Sequence, residues 1–310
     1  MHTKWAVKAV IQKAISLLPD AQRANYLFQD RVTRSTTLKR TAYEQRLHWA
    51  GDHLAALRRL SPERSQGFTA VELGSGWYPI VPICLFLGGA DRVWLVDLED
   101  LGRDELAVQA VDAVLASVED GEAADALGPV DPERVERLRA AGASIAGRGR
   151  HAALGDLGLR VSPGDARTFD AAEEPDLICS NTVLEHIPAT VLEGILARFR
   201  DLAGPGTVMS HLVDHCDHYA YVDPGLSVYH FLRYTDRTWS IIDNSIQPMN
   251  RLRASEYRAI YERLGIELTE EHLTAADGRN LIGEPLAERF RRMDPDDVAC
   301  TASWLLTRFT

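Results

Sequence analysis

The apolar positions near the amino terminus repeat at helical spacing, and they predict two helices. Residues 4–18 carry one apolar face, and Pro19-Asp20 should end this helix because proline cannot continue the hydrogen-bond ladder. Residues 41–60 carry a second face of the same kind. We interpret residues 1–62 as an amino-terminal helical lid region.

Beyond residue 62, short apolar runs alternate with amphipathic segments, which predicts repeated β–α units. The predicted strands are 69–73, 93–96, 159–162, 177–180, 207–213, 266–272 and 301–309. The predicted helices include 79–87, 191–202 and 254–264, with insertions at about 103–160 and 215–252. This alternation predicts an α/β fold over residues 63–310: a Rossmann-like, doubly wound, mostly parallel seven-stranded sheet.

Composition places the chain among ordinary globular proteins. Of its 310 residues, 45% are hydrophobic and 25% are charged. The four cysteines are scattered without a CxxC pair, which argues against a disulfide framework or a zinc module. Apolar runs are too short for a signal peptide or a membrane span, so we expect a soluble, cytoplasmic protein.

Charge is distributed unevenly along the chain. Residues 1–60 carry a net charge of +7 and the remainder −18, within a total of −11. An acidic body disfavours nucleic acid as the main partner, because phosphate binding needs a basic surface. The basic segment is better explained as the solvated face of amphipathic helices.

A glycine pair follows the first predicted strand of the core. Gly74-Ser75-Gly76 lets the backbone turn sharply and approach a ligand closely. Glu72 precedes the pair, and Asp97 ends the second predicted strand. An acid at that strand end is placed to accept hydrogen bonds from ribose hydroxyls.

These motifs resemble the cofactor site of class I S-adenosylmethionine-dependent methyltransferases of the small-molecule type. The resemblance covers about residues 66–215 and the closing strands, and it implies S-adenosyl-L-methionine as the cofactor. The cofactor-binding residues that it implies are Glu72, Gly74, Ser75, Gly76, Asp97, Leu98, Gly164, Asp165, Ala166 and Asn181. Tyr78 stands where the family often has a third glycine. Pro79 stands where a nicotinamide dehydrogenase would need glycine.

Two histidine-bearing segments are candidates to take a proton from the acceptor. His186 follows the fourth predicted strand, and the segment His211-x-x-Asp214-His215-x-Asp217-His218-Tyr219 leaves the fifth. The candidate catalytic residues are His186, His211, Asp214 and His215. The same segment offers ligands for zinc or iron, but no matching pair is apparent elsewhere, so no metal site is predicted.

The second insertion is rich in aromatic and polar residues, as small-molecule pockets are. The candidate substrate-binding residues are His218, Tyr219, Tyr229, Arg233, Trp239, Asn250 and Arg251. Of these, Arg233 and Arg251 are candidates for gripping a carboxylate or phosphate.

These features favour methyl transfer to an oxygen or nitrogen of a small molecule, and the resemblance is compatible with secondary metabolism. Three alternatives remain open: a non-methylating enzyme that binds the same cofactor, a nicotinamide-dependent oxidoreductase, and a protein or peptide methyltransferase. No nucleic-acid or membrane partner is predicted, and a homodimer is compatible with the sequence.

Overall fold

Seven strands and twelve α-helices form the part of the chain that the computed structural model describes, which is residues 4–16, 38–245 and 248–310. The strands are β1 (Phe68–Leu73), β2 (Ala90–Asp97), β3 (Leu159–Pro163), β4 (Leu177–Asn181), β5 (Val208–Asp214), β6 (Glu270–Thr274) and β7 (Ala302–Arg308). The helices are α1 (Lys4–Ser16), α2 (Arg40–Leu60), α3 (Ile80–Leu87), α4 (Asp104–Glu119), α5 (Glu122–Leu127), α6 (Pro132–Arg148), α7 (Arg150–Gly155), α8 (Ala189–Leu202), α9 (Asp236–Ile242), α10 (Ala254–Arg263), α11 (Glu288–Arg291) and α12 (Pro295–Ala299). None of these helices combines the length and the apolarity that a bilayer span requires.

The strands form one sheet in the order β3-β2-β1-β4-β5-β7-β6. Strands β1 to β5 are parallel, whereas β7 runs antiparallel between β5 and β6. The strand order reverses between β1 and β4, and ligands of such sheets bind beyond the carboxyl ends of the strands at that point. The predicted Rossmann-like, mostly parallel seven-stranded fold is confirmed.

Two predicted segments differ from the structure. Strand β6 begins at Glu270, not at Ile266 as predicted, because Ile266 belongs to the turn that ends helix α10. Its amide donates to the carbonyl of Tyr261 (2.9 Å), and its side chain is buried in the core. The sequence of the first insertion predicts two helices separated by a Gly/Asp-rich break near 120–131, whereas the structure has four helices there, with α5 inside that break. The predicted end of the first helix, at residues 17–20, lies outside the described residues.

Helix α2 belongs to the main hydrophobic core. Tyr43, Leu47, Leu54 and Leu57 are buried in the same cluster as the side chains of β1, β2 and α3. On its other side, Gly51 lies against the carbonyl of Ala126 in α5, where a larger residue would clash. Helix α2 is therefore a structural part of the core. For the residues of the predicted lid region that precede helix α2, the lid role stays a prediction.

Helix α1 packs on the second insertion. Trp5 lies with its ring centroid 4.8 Å from that of His230 and 6.0 Å from that of Tyr219. Lys13 donates to the carbonyl of Asp243 at 2.6 Å. These residues border a separate hydrophobic cluster that includes Ala9 and the buried aromatics of the insertion. We call α1 together with residues 215–252 the cap.

Candidate cofactor site

A cavity of about 460 Å³ lies at the carboxyl ends of β1 and β2, beside the loop after β4. Seven of the predicted site residues line it: Gly74, Asp97, Leu98, Gly164, Asp165, Ala166 and His186. The structure therefore brings together the glycine loop, the acid after β2 and the segment after β3, which are far apart in sequence. The size and the mixture of apolar and polar walls suit an organic cofactor.

The glycine loop has a backbone that few other residues could adopt. Gly74 has φ of +78° and Gly76 has φ of +62°, both in the left-handed region. The amide of Gly74 donates to the carbonyl of Val96 (2.7 Å), which ties the loop to β2. A Cβ on Gly74 would meet the side chain of Val183. Glycine at position 74 therefore lets the loop approach the segment after β4.

The carboxylate of Asp97 stands at the junction of the glycine loop and β2. Its oxygens accept from the amides of Gly76 (3.3 Å) and Leu98 (2.8 Å). Burial raises the pKa of Asp97, while these two amides lower it in part. The backbone carbonyl of Asp97 accepts from Gly164 (2.8 Å), which holds the segment after β3 beside it. An acceptor fixed in this way is suited to binding hydroxyl donors such as those of a ribose.

The segment after β3 forms the polar rim of the cavity. Asp165 accepts from the amide of Arg167 (2.9 Å) and forms an ion pair with its guanidinium (2.5 Å). Hydrogen bonds from Arg167 lower the pKa of Asp165. Ala166 is buried beside this pair, while Gly164 adopts φ of +143° at the turn. The rim therefore presents one fixed charge pair at the cavity mouth.

The apolar wall of the cavity consists of residues that sequence analysis did not assign to the site. Among them are Val183, Ile187, Val191 and Ile195, on the loop after β4 and on α8. The remaining unassigned lining residues are Leu73, Arg167, Pro188 and Pro248. The segment Val183–Ile187 directly follows a predicted strand end, which was a usable signal, whereas nothing in the sequence pattern places Pro248 at the cavity.

Four predicted cofactor residues do not line this cavity, and three of them lie in or next to the glycine loop. Ser75 and Gly76 border a small recess of about 30 Å³ on the other side of Asp97. Glu72 is only 3% exposed and lies beneath the loop, and burial raises its pKa to about 8, partly offset by Arg46. Their part in cofactor binding stays a prediction.

Asn181 also lies off the cavity wall. Its Oδ1 contacts Nε2 of His53 on α2 (3.1 Å), and Nδ1 of the same ring contacts Oγ of Ser210 (2.7 Å). His53 could not be predicted from the sequence, because it lies on the buried face of a helix that carries no motif. Asn181 therefore links β4 to α2, and cofactor contact by it stays a prediction.

His186 is the predicted base that the structure places on the cavity wall. Its Nδ1 contacts the carbonyl of Pro248 (2.7 Å), so this nitrogen carries the proton and Nε2 carries the lone pair. Burial and the neighbouring His218 lower the pKa of His186 to about 4. The ring is therefore neutral at pH 7.

The other two predicted bases are buried inside the protein. His211 is fully buried on β5, stacked with Phe199 and joined through Nδ1 to Oγ of Ser180 (2.7 Å). His215 contacts the carbonyl of Leu252 (3.1 Å) and Oγ of Ser303 (2.9 Å). Burial lowers the pKa of both to about 3. Both rings therefore lie in the core and not on the cavity wall, and a catalytic role for His211 and His215 stays a prediction.

Asp214 orients a fourth histidine beside the cavity. Its Oδ2 contacts Nε2 of His218 (3.1 Å) and accepts from the hydroxyl of Tyr221 (2.7 Å). Burial alone would raise the pKa of Asp214, but these hydrogen bonds outweigh it and lower the pKa to about 2. The rings of His218 and His186 meet edge to face with centroids 4.8 Å apart. Asp214 thus acts through His218 and does not line the cavity itself.

The remaining predicted substrate residues serve the cap and its connections. Arg251 is 3% exposed and donates to the carbonyls of Phe231 (3.0 Å) and Tyr234 (2.7 Å). Arg233 is exposed and does not line the cavity. Arg251 thus donates to backbone carbonyls and Arg233 lies off the cavity wall, and an anion grip by these two arginines stays a prediction.

The aromatic candidates and Asn250 are also structural. Trp239 donates to the carbonyl of Met249 (3.0 Å), and Tyr229 donates to that of Ala299 (2.9 Å). Asn250 donates to the carbonyls of Leu184 and Ile187 (both 2.8 Å), and Tyr219 is buried against α1. Trp239 and Asn250 thus use their donors on backbone carbonyls of the cap and of the loop after β4, and substrate contact by Tyr219, Tyr229, Trp239 and Asn250 stays a prediction.

The fold and the cavity define a Rossmann-like protein with a candidate cofactor site at its topological switch point. No protein-family model and no curated protein matches the chain. Among solved structures, it is similar to an S-adenosylmethionine-dependent methyltransferase from Mesorhizobium loti, with 14% identity and a TM-score of 0.42, over 82% of this chain and 96% of that one.

Two further solved structures are similar to the chain. The S-adenosylmethionine-dependent methyltransferase from Clostridium acetobutylicum has 9% identity and a TM-score of 0.43, over 93% of this chain and 98% of that one. The magnesium protoporphyrin IX methyltransferase from Synechocystis, with bound S-adenosylhomocysteine, has 9% identity and a TM-score of 0.42, over 91% and 97%. At these values the likeness concerns the fold alone.

Proposed function

We propose that the protein transfers a methyl group from S-adenosyl-L-methionine to an oxygen or nitrogen atom of a small molecule. The observation that carries this proposal is the position of Asp97. Its carboxylate is fixed by the amides of Gly76 and Leu98 at the end of β2, on the wall of a cavity that lies at the switch point of the sheet. This is where a ribose-bearing cofactor of such a sheet is held.

The cofactor fits the distribution of polar and apolar groups in the cavity. Asp97 would hold the ribose hydroxyls, and the rim at Gly164 to Ala166 lies beside it for the adenine ring. The apolar wall from Val183 to Ile195 offers a water-poor surface for the thioether portion. When bound, the cofactor supplies an electrophilic methyl group on a sulfonium, and the protein supplies position and exclusion of water.

The acceptor end of the cavity is the end where His186 meets the cap. Pro248, which belongs to the second insertion and hence to the cap, lines the cavity there and contacts the ring of His186 through its carbonyl. We also propose that the cap closes over this end of the cavity and determines which acceptor binds. Because His186 is neutral at pH 7, it presents a lone pair at the acceptor end.

Two further parts of the proposal concern the acceptor and the compartment. A cavity of about 460 Å³ that also holds a cofactor leaves room for a small acceptor and not for a folded protein. All four cysteines are buried free thiols, which agrees with a reducing compartment, and we place the protein in the cytoplasm.

The proposal is tested by following both products of the transfer. The full chain is incubated with S-adenosylmethionine carrying a 13C-labelled methyl group and with a set of small hydroxyl-, carboxyl- and amine-bearing compounds. We expect S-adenosylhomocysteine to form only with an acceptor, together with one compound that gains the labelled methyl. Binding of the cofactor without turnover in any mixture would instead favour a non-methylating protein.

A further inference from the structure

Three side chains that can bind metal ions converge beside the cofactor cavity. One ligand atom from each of Glu185, His186 and His218 lies within 4.8 Å of the other two. Glu185 and His186 are adjacent in the chain, on the turn after β4, whereas His218 comes from the cap. The fold therefore assembles this triad from two distant segments.

Glu185 is the unusual member of the triad. It is 2% exposed, and neither carboxylate oxygen has a hydrogen-bond partner of normal geometry anywhere in residues 4–16, 38–245 and 248–310. The backbone amides of Glu185 and Asp214 lie near this carboxyl group without reaching hydrogen-bond geometry. A buried carboxyl without partners is costly, and a cation beside it would remove that cost.

The two histidines are held in states that suit metal binding. His186 keeps its lone pair on Nε2 because Nδ1 is bound to the carbonyl of Pro248. His218 is oriented by Asp214, and a carboxylate behind a histidine is the usual outer partner of a metal-bound imidazole. A metal ion requires the neutral imidazole, with one ring nitrogen that carries a lone pair.

We propose that Glu185, His186 and His218 bind a divalent transition-metal ion, with zinc, manganese and cobalt as the chemical class. Two imidazole nitrogens and one carboxylate favour such ions over magnesium, which prefers oxygen ligands alone. Ligands of one zinc ion lie about 3–4 Å apart at bond lengths of about 2.0–2.2 Å. Ion binding therefore draws the three side chains together by about an ångström.

Open positions of this ion would face the acceptor end of the cavity, because His186 lines the wall there. An acceptor with an oxygen atom, such as a hydroxyl or carboxylate compound, would complete the coordination and be held beside the cofactor. Under this assignment His186 is a ligand and not the proton acceptor. The metal site stands without the methyl transfer, whereas its role toward the acceptor rests on the proposed function.

The test uses the tag-free full chain, stripped with a chelator and titrated calorimetrically with Zn²⁺ and Co²⁺. We expect one ion per chain, a visible cobalt spectrum and a raised melting temperature. Glu185→Gln removes the carboxylate charge with little change in shape, so it should abolish binding. Asp214→Asn should weaken binding about 10–100-fold, the range for outer partners of metal ligands.

His272→Gln is the matched control, since His272 forms an exposed pair with Glu270 (3.3 Å) on β6; its metal binding should equal that of the unmodified chain. Each variant is checked for cooperative thermal unfolding and for binding of S-adenosylmethionine. Equal metal binding by Glu185→Gln and the unmodified chain, or no binding by either, overturns the proposal. Metal binding without binding of S-adenosylmethionine supports the metal site and contradicts the proposed function. Binding of S-adenosylmethionine without metal binding supports the proposed function and overturns the metal site.

Discussion

The side chain of Val183 occupies the space that a side chain on Gly74 would need. A Cβ on Gly74 would lie 2.3 Å from one γ-methyl of Val183 and 2.9 Å from the other. Both residues line the cofactor cavity, one on the loop after β1 and one on the loop after β4. The two loops are therefore fitted to each other across the floor of the site.

Gly74→Ala is expected to displace the loop and to weaken cofactor binding by at least ~10-fold. A loss of about 1.4 kcal/mol in binding free energy is enough for that factor. Left-handed backbone strain alone costs about 1–2 kcal/mol. Gly265→Ala is the control for that strain, because Gly265 has φ of +67° and no described atom would lie within 4 Å of its Cβ. Calorimetric titration with S-adenosylhomocysteine measures both variants.

The clash also predicts a rescue. Adding Val183→Ala to Gly74→Ala removes both offending methyl groups, so part of the affinity should return. If Gly74→Ala and Gly265→Ala bind the cofactor equally well, the fit between the two loops has no role in the site.

The buried histidines predict a loss of stability in acid. The pKa of His211 is about 3 in the folded protein against an ordinary value of 6.5, because burial disfavours the charged ring. Between these values the unfolded chain binds the extra proton, so this contribution to stability is complete above pH 6.5 and is lost as the pH falls toward 3. His211 alone should cost about 2 kcal/mol at pH 5, at about 1.36 kcal/mol per pKa unit.

His211→Gln should reduce this pH dependence. Urea unfolding at pH 7.5 and pH 5 measures the free energy of unfolding, and the drop between the two should be about 2 kcal/mol smaller in the variant. His272→Gln, on the exposed face of β6, serves as the control. An unchanged drop in His211→Gln would show that another group dominates the acid response.

Arg251 is expected to matter for stability and not for ligand affinity. Arg251→Ala leaves two backbone carbonyls without their donor and removes the ion pair with Asp236 (2.5 Å), so we expect a loss of about 2–4 kcal/mol. Arg233→Ala is the matched control, because Arg233 is exposed. Chemical denaturation measures the first effect, and calorimetry should show unchanged cofactor affinity in both variants. A loss of cofactor affinity in Arg251→Ala but not in Arg233→Ala would contradict a purely structural role for Arg251.

The sequence predicted the sheet well because apolar periodicity and glycine turns act locally. Each strand of the parallel part, and the acid at the end of β2, follow from such local signals. The cap could not be predicted in the same way. Arg251 and Trp239 have the composition of a pocket, but their partners are backbone carbonyls that only the folded chain brings near. Likewise, the burial of His211 depends on α8 packing over β5.

The metal-binding triad shows the same limit from the other side. In the sequence, the segment His211 to His218 offers metal ligands, but no matching pair of ligand residues is apparent elsewhere. The structure supplies that pair as Glu185 and His186, which lie on the turn after β4. Their adjacency in the chain was visible, but their approach to His218 depends on how the cap returns to the sheet.

Calorimetric titration of the full chain with S-adenosylmethionine, S-adenosylhomocysteine and NAD tests the central claim most directly. We expect one molecule of either of the first two to bind per chain and NAD not to bind. Asp97→Ala should weaken that binding about 10–100-fold. The variant loses hydrogen bonds to a charged group, and such bonds contribute about 1.5–3 kcal/mol. Asp91→Ala, at the other end of the same strand and exposed, should bind as the unmodified chain does. Binding of NAD instead, or equal affinity in Asp97→Ala, would contradict the assignment of this cavity to S-adenosylmethionine.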